Sequence, residues 1–127
     1  MKRLLAFSPS LILAAVIFFA SLLRCPDELP LPSFFGWDKC AHMGMYFLLA
    51  VFIQKDAQRA QIKSSMFWIV TFIICAIYGG IIEILQDWFT ANRTADWWDW
   101  IADVFGAGIG VLIMQRVWIH HKNATSC

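Results

Sequence analysis

Hydrophobic residues fall into four long runs separated by short polar breaks: Leu4 to Leu23, Asp38 to Gln54, Ser64 to Gln86 and Trp98 to Ile119. At a rise of 1.5 Å per residue, roughly 20 apolar residues cross a bilayer, so each run reads as a transmembrane helix, the second being the shortest. The first run follows Met1-Lys2-Arg3. With no small-residue cleavage site behind it, it reads as a retained signal anchor. Cys25-Pro26-Asp27-Glu28-Leu29-Pro30-Leu31-Pro32 holds three prolines and reads as a stiff, extended connector.

Polar positions inside the runs keep helical spacing. Asp38, His42 and Tyr46 recur every four residues, and Lys39 stands three before His42. Gly79, Glu83 and Gln86 share one face of the third helix, and Asp99, Asp103, Gly106 and Gly110 share one face of the fourth. Ionisable groups at membrane depth are costly, which makes these stripes candidates for a site. Gly44, the Gly79-Gly80 pair and the Ala102, Gly106, Gly110 ladder supply the small residues through which helices approach in lipid.

Composition agrees with the pattern: 60% of the 127 residues are hydrophobic and 15% are charged, with a mean hydropathy of +0.63. The expected fold is all-α, a single-domain integral membrane four-helix bundle. Basic residues of short loops favour the cytoplasmic side. With both termini inside, Lys2, Arg3, Lys55, Arg59, Lys63, Arg116 and Lys122 are cytoplasmic, leaving Arg24, Lys39 and Arg93 outside. The acids divide more sharply, because Asp56 alone is inside while Asp27, Glu28, Asp38, Glu83, Asp87, Asp96, Asp99 and Asp103 gather at the outer end. Trp37, Trp88, Trp97, Trp98 and Trp100 read as anchors in the outer headgroup layer, and Phe67, Trp68 and Trp118 as the inner belt. The segment from Lys55 to Lys63 is assigned to topology alone. Cys25 and Cys40 could bridge the proline-rich connector by a disulfide.

Asp38-Lys39-Cys40-Ala41-His42 with Tyr46, Tyr78-Gly79-Gly80-Ile81-Ile82-Glu83-Ile84-Leu85-Gln86, Arg93, and Asp99-Trp100-Ile101-Ala102-Asp103 with Gly106 and Gly110 form an ordered set. In sequence and spacing this set resembles the pattern of VanZ-like membrane proteins, over roughly residues 37 to 112. The pattern departs at Asp103, where the family usually carries Asn, so an amide that donates and accepts has become a potential anion. The founding member is an accessory protein of glycopeptide-resistance clusters, associated with teicoplanin resistance. The resemblance therefore implies a bacterial inner-membrane protein linked to the envelope, with no defined biochemical activity.

The candidate ligand-binding residues are Asp38, Lys39, His42, Tyr46, Glu83, Gln86, Arg93, Asp99 and Asp103. Three readings remain open for them. They form a structural network that joins three helices, with Asp38 or Glu83 orienting His42 and Tyr46. They form a pocket for the polar head of an envelope lipid or lipid-linked precursor, with Arg93 and Lys39 on phosphate and Glu83, Asp99 and Asp103 on hydroxyls or amines. Or they form a membrane-embedded hydrolase or transferase, in which His42 and the carboxylates act as acid and base or hold a divalent cation. No tight metal motif or serine-nucleophile arrangement is present, and no cofactor or nucleic acid is expected. Membrane lipids are the expected partners, and four helices enclose so little space that transport would call for an oligomer.

Overall fold

The computed structural model describes residues 5–23, 37–89 and 96–126, without the side chains of Trp37 and Asp38. Four long helices and no strand occur among the described residues: α1 (Ser8–Leu22), α2 (Trp37–Arg59), α3 (Phe67–Phe89) and α4 (Trp97–Ala124). Hydrogen bonds fix their directions. The start of α1 meets the end of α2 through Ser10 and Asp56, and the end of α1 meets the end of α3 through Ser21 and Gln86. The starts of α2 and α4 meet through Lys39 and Asp99, so the chain runs up, down, up, down.

Helix α2 is longer than expected. Lys55 and Asp56 looked like a polar exit from the apolar run, yet the helix continues to Arg59. Asp56 is fully buried: its Oδ2 accepts the Ser10 backbone N–H at 3.0 Å and its Oδ1 accepts from Arg59 Nη1 at 3.1 Å. Helix α1 has no side-chain cap of its own at Phe7, so Asp56 satisfies one of its first-turn donors from the neighbouring helix. The stretch assigned to topology alone therefore closes one end of the bundle. Helix α3 begins and ends three residues later than the sequence suggests, and α4 runs five residues further.

Polar side chains also tie the interior. Gln54 Nε2 donates to Thr71 Oγ1 at 2.6 Å, Tyr78 Oη donates to the Ala14 carbonyl at 2.6 Å, and Trp100 Nε1 donates to the Ala76 carbonyl at 2.9 Å. Trp100 is half-buried against α3, whereas Trp88, Trp97 and Trp98 are exposed. Trp68 and Trp118 meet edge to face at the other end, with ring centroids 6.2 Å apart.

Outward positions stay apolar over much of the length: Ile69, Ile73, Ile77 and Ile81 on α3 and Phe105, Ile109, Leu112 and Ile113 on α4 are all exposed. Exposed apolar surface on this scale marks a surface that meets something other than water. Among the described residues, α3 and α4 are long and apolar enough to cross a membrane. Helix α1 is apolar but shorter, at 15 residues.

The tightest packing lies between α2 and α4. A Cβ placed on Gly106 would fall on the Met43 carbonyl oxygen, and one on Gly110 would stand 2.7 Å from the Phe47 carbonyl oxygen. These two glycines are packing surfaces, as their spacing suggests. Gly44 is not: it is exposed, with nothing within 4 Å of an added Cβ. Gly106→Ala should accordingly lower stability by about 2 kcal/mol or more through overpacking, while Gly44→Ala should leave it near wild type. Thermal melts in one detergent check the contrast, and equal loss in both variants would contradict this helix contact.

Candidate functional site

Lys39, His42, Tyr46, Glu83, Asp99 and Asp103 all sit at the end of the bundle where α2 and α4 begin and α3 finishes. Helical spacing accounts for the grouping within each element, and the glycine contact between α2 and α4 accounts for it between them. His42, Tyr46, Glu83, Asp99 and Asp103 are buried, and Lys39 is half-buried at the rim. The three expected stripes thus converge. Asp38 belongs to α2, but its side chain is not described, and Arg93 lies outside the described residues.

Two charged contacts join α2 to α4. His42 Nδ1 stands 3.0 Å from Asp103 Oδ1; an ionised carboxylate only accepts, and in that state the ring nitrogen donates. The sequence reading looked to Asp38 or Glu83 to orient His42. A carboxylate on Nδ1 is that of Asp103, because the α2–α4 register sets these two side chains opposite one another. Lys39 Nζ bridges Asp99 Oδ1 at 3.1 Å and Asp96 Oδ2 at 3.3 Å.

Asp96 is a member of the site that the sequence reading counted only as an outer acid. It is the N-cap of α4, accepting from the Trp98 N–H at 2.9 Å, and its own N–H donates to Glu83 Oε2 at 3.3 Å. An Asp immediately before an apolar helix is a recognised start signal and could have revealed this role. Gln86 also ties the bundle together, since its Nε2 donates to the Ser21 carbonyl at 2.9 Å and fastens α3 to α1. Gly79 leaves room for Asp103: an added Cβ would come within 2.9 Å of Asp103 Oδ2.

The network is incomplete. Tyr46 Oη, Glu83 Oε1 and Asp103 Oδ2 are buried without a hydrogen-bond partner among the described residues. Each such orphan costs about 1–3 kcal/mol of desolvation, which is more than a purely structural network would leave standing three times at one end. Cys40, the expected partner of Cys25, is exposed and free, and Cys25 lies outside the described residues.

Asp103→Ala should strip the buried His42 Nδ1–H of its acceptor and cost about 1–3 kcal/mol. Asp103→Asn should cost less, since the amide oxygen still accepts. Denaturation of the purified variants in detergent measures both, and an Asn variant no better than Ala would show that the contact does not hold the imidazole.

Comparison with known proteins gives one family. The VanZ/LLP1 family model matches residues 4–119. No curated protein and no solved structure matches the chain. The match runs from the first helix to the fourth and takes in every residue of the site, and together with the two membrane-length helices it points to a membrane protein. The chain belongs to the VanZ/LLP1 family.

Proposed function

We propose that this protein spans a bacterial inner membrane with four helices, both termini in the cytoplasm, and binds the polar head of an envelope lipid or lipid-linked precursor at its acid-rich outer end. One observation carries the reading: Tyr46 Oη, Glu83 Oε1 and Asp103 Oδ2 are buried at that end without a hydrogen-bond partner among the described residues. Carboxylate oxygens accept and do not donate, so the complementary group on a ligand is a hydroxyl, an amine or a cation. Lys39, half-buried at the rim and held by Asp96 and Asp99, is the described cation best placed to meet a phosphate beside them. Exposed Trp88, Trp97 and Trp98 at the same end suit the headgroup layer where such a lipid would sit. The orientation follows from the basic residues: Lys55, Arg59, Lys63, Arg116 and Lys122 lie toward the opposite end.

Orientation is tested in a cysteine-free background with single cysteines at position 87, beside the site, and position 63, at the far end. A membrane-impermeant maleimide should label 87 in intact spheroplasts and 63 only after permeabilisation. The reverse result would place the acidic end in the cytoplasm and remove envelope precursors as ligands.

Lipid binding is tested by native mass spectrometry from mild detergent. Wild type should carry a lipid adduct that Glu83→Gln and Arg93→Ala lose while remaining monodisperse. Unchanged adducts in both variants would reject the reading.

A further inference from the structure

The acid-rich end also brings together a set of donors that no spacing along the chain announces. One ligand atom each from His42 on α2, Glu83 on α3 and Asp99 on α4 lie within 4.8 Å of one another, and all three residues are buried. Two donors each about 2.1 Å from one ion stand at most about 4.2 Å apart. Around one tetrahedral ion such donors stand roughly 3.4 Å apart, so gathering the three from within 4.8 Å of one another needs a contraction of up to about an ångström, supplied by side-chain rotation.

Two further observations point to an ion. Glu83 is 4% exposed, with Oε2 accepting the Asp96 N–H while Oε1 has no partner among the described residues. One oxygen is thus fixed by the protein and the other is left bare, as a monodentate ligand would be. Asp103 Oδ1 meanwhile holds His42 Nδ1 at 3.0 Å. A carboxylate on one ring nitrogen is the usual outer support of a metal-binding histidine: it sets the tautomer and makes Nε2 the coordinating atom. Among the described residues the cluster's cation, Lys39, meets Asp96 and Asp99 from the rim rather than Glu83 or Asp103.

We propose that His42, Glu83 and Asp99 bind one divalent metal ion of the manganese or zinc class, with Asp103 as the positioning residue for the imidazole. One imidazole with two carboxylates suits these ions better than magnesium or calcium, which favour all-oxygen sites, or copper(I), which favours sulfur. Three protein donors leave coordination positions for water or for an oxygen of a bound molecule. The assignment goes beyond lipid recognition and stands without it.

The test uses the full chain carrying a tag without histidine, purified in mild detergent, stripped with EDTA, re-equilibrated with Mn²⁺ or Zn²⁺ and freed of excess ion. Elemental mass spectrometry should find roughly one ion per chain, as expected of a single preformed site. His42→Ala and Glu83→Gln should each lose it, while His120→Ala/His121→Ala, at the far end of α4, should keep it. Asp103→Asn should weaken binding about 10–100-fold with the stoichiometry recovered at higher metal. Pulsed electron paramagnetic resonance of wild type loaded with Mn²⁺ should show nitrogen hyperfine coupling from one imidazole, retained in the His120/His121 variant. Glu83→Gln changes volume little, and Asp99→Asn serves as the second conservative variant should either fail to fold. Wild type without a retained ion, retention in both Glu83→Gln and Asp99→Asn, or loss in the His120/His121 variant would each overturn the proposal. Lipid adducts measured on the same samples keep failure of the metal site distinct from failure of lipid binding.

Discussion

The backbone contact between α2 and α4 sets everything at the acidic end. Gly106 faces the Met43 carbonyl and Gly110 the Phe47 carbonyl, so the two parallel helices are locked in one register. The same register, about a turn toward the helix starts, puts Asp103 against His42 and Asp99 against Lys39. A larger side chain at either glycine would part the helices, and the polar contacts span only hydrogen-bond distances. In lipid, where apolar surface offers little drive for helices to associate, this close approach is the most economical way to hold such a register.

The two ends of the bundle treat buried polar groups differently. At the end formed by the start of α1 and the finish of α2, Asp56 has both carboxylate oxygens engaged, and Gln54 is bonded to Thr71. At the other end oxygens of Tyr46, Glu83 and Asp103 have no hydrogen-bond partner among the described residues. A fold stabilised only by internal pairing has no reason to satisfy one end and leave the other open. Strain stored without benefit is expected to be rare, whereas unsatisfied buried groups gather where a ligand completes them.

Much of this end was legible in the sequence because helical spacing is a reliable guide to which residues share a face. Lys39, His42 and Tyr46, then Glu83, then Asp99 and Asp103 stand where their stripes indicate. Spacing within a helix carries no information on which stripe faces which, so the contact of His42 with Asp103 was not legible: the α2–α4 register selects it. The same limit hid the difference between Gly44, which faces nothing, and Gly106, which faces a backbone carbonyl. Asp56 was overlooked for another reason. Hydropathy treats a charge after an apolar run as an exit from the helix, while a neighbouring helix terminus with an unsatisfied N–H can make the same charge an interior residue.

The carboxylate at position 103 gains a physical meaning from these contacts. A neutral Asn would accept from His42 Nδ1–H through its carbonyl but would turn an amide NH₂ toward the space beside Gly79, where Asp103 Oδ2 now lies without a partner. An anion there instead favours positive charge on or beyond the imidazole, either a proton or a metal ion on its far side. The buried cluster of Glu83, Asp99 and Asp103 already asks for such charge. An anionic Asp103 therefore favours a cation at the junction of α2, α3 and α4, a demand that a neutral Asn at this position would make less strongly.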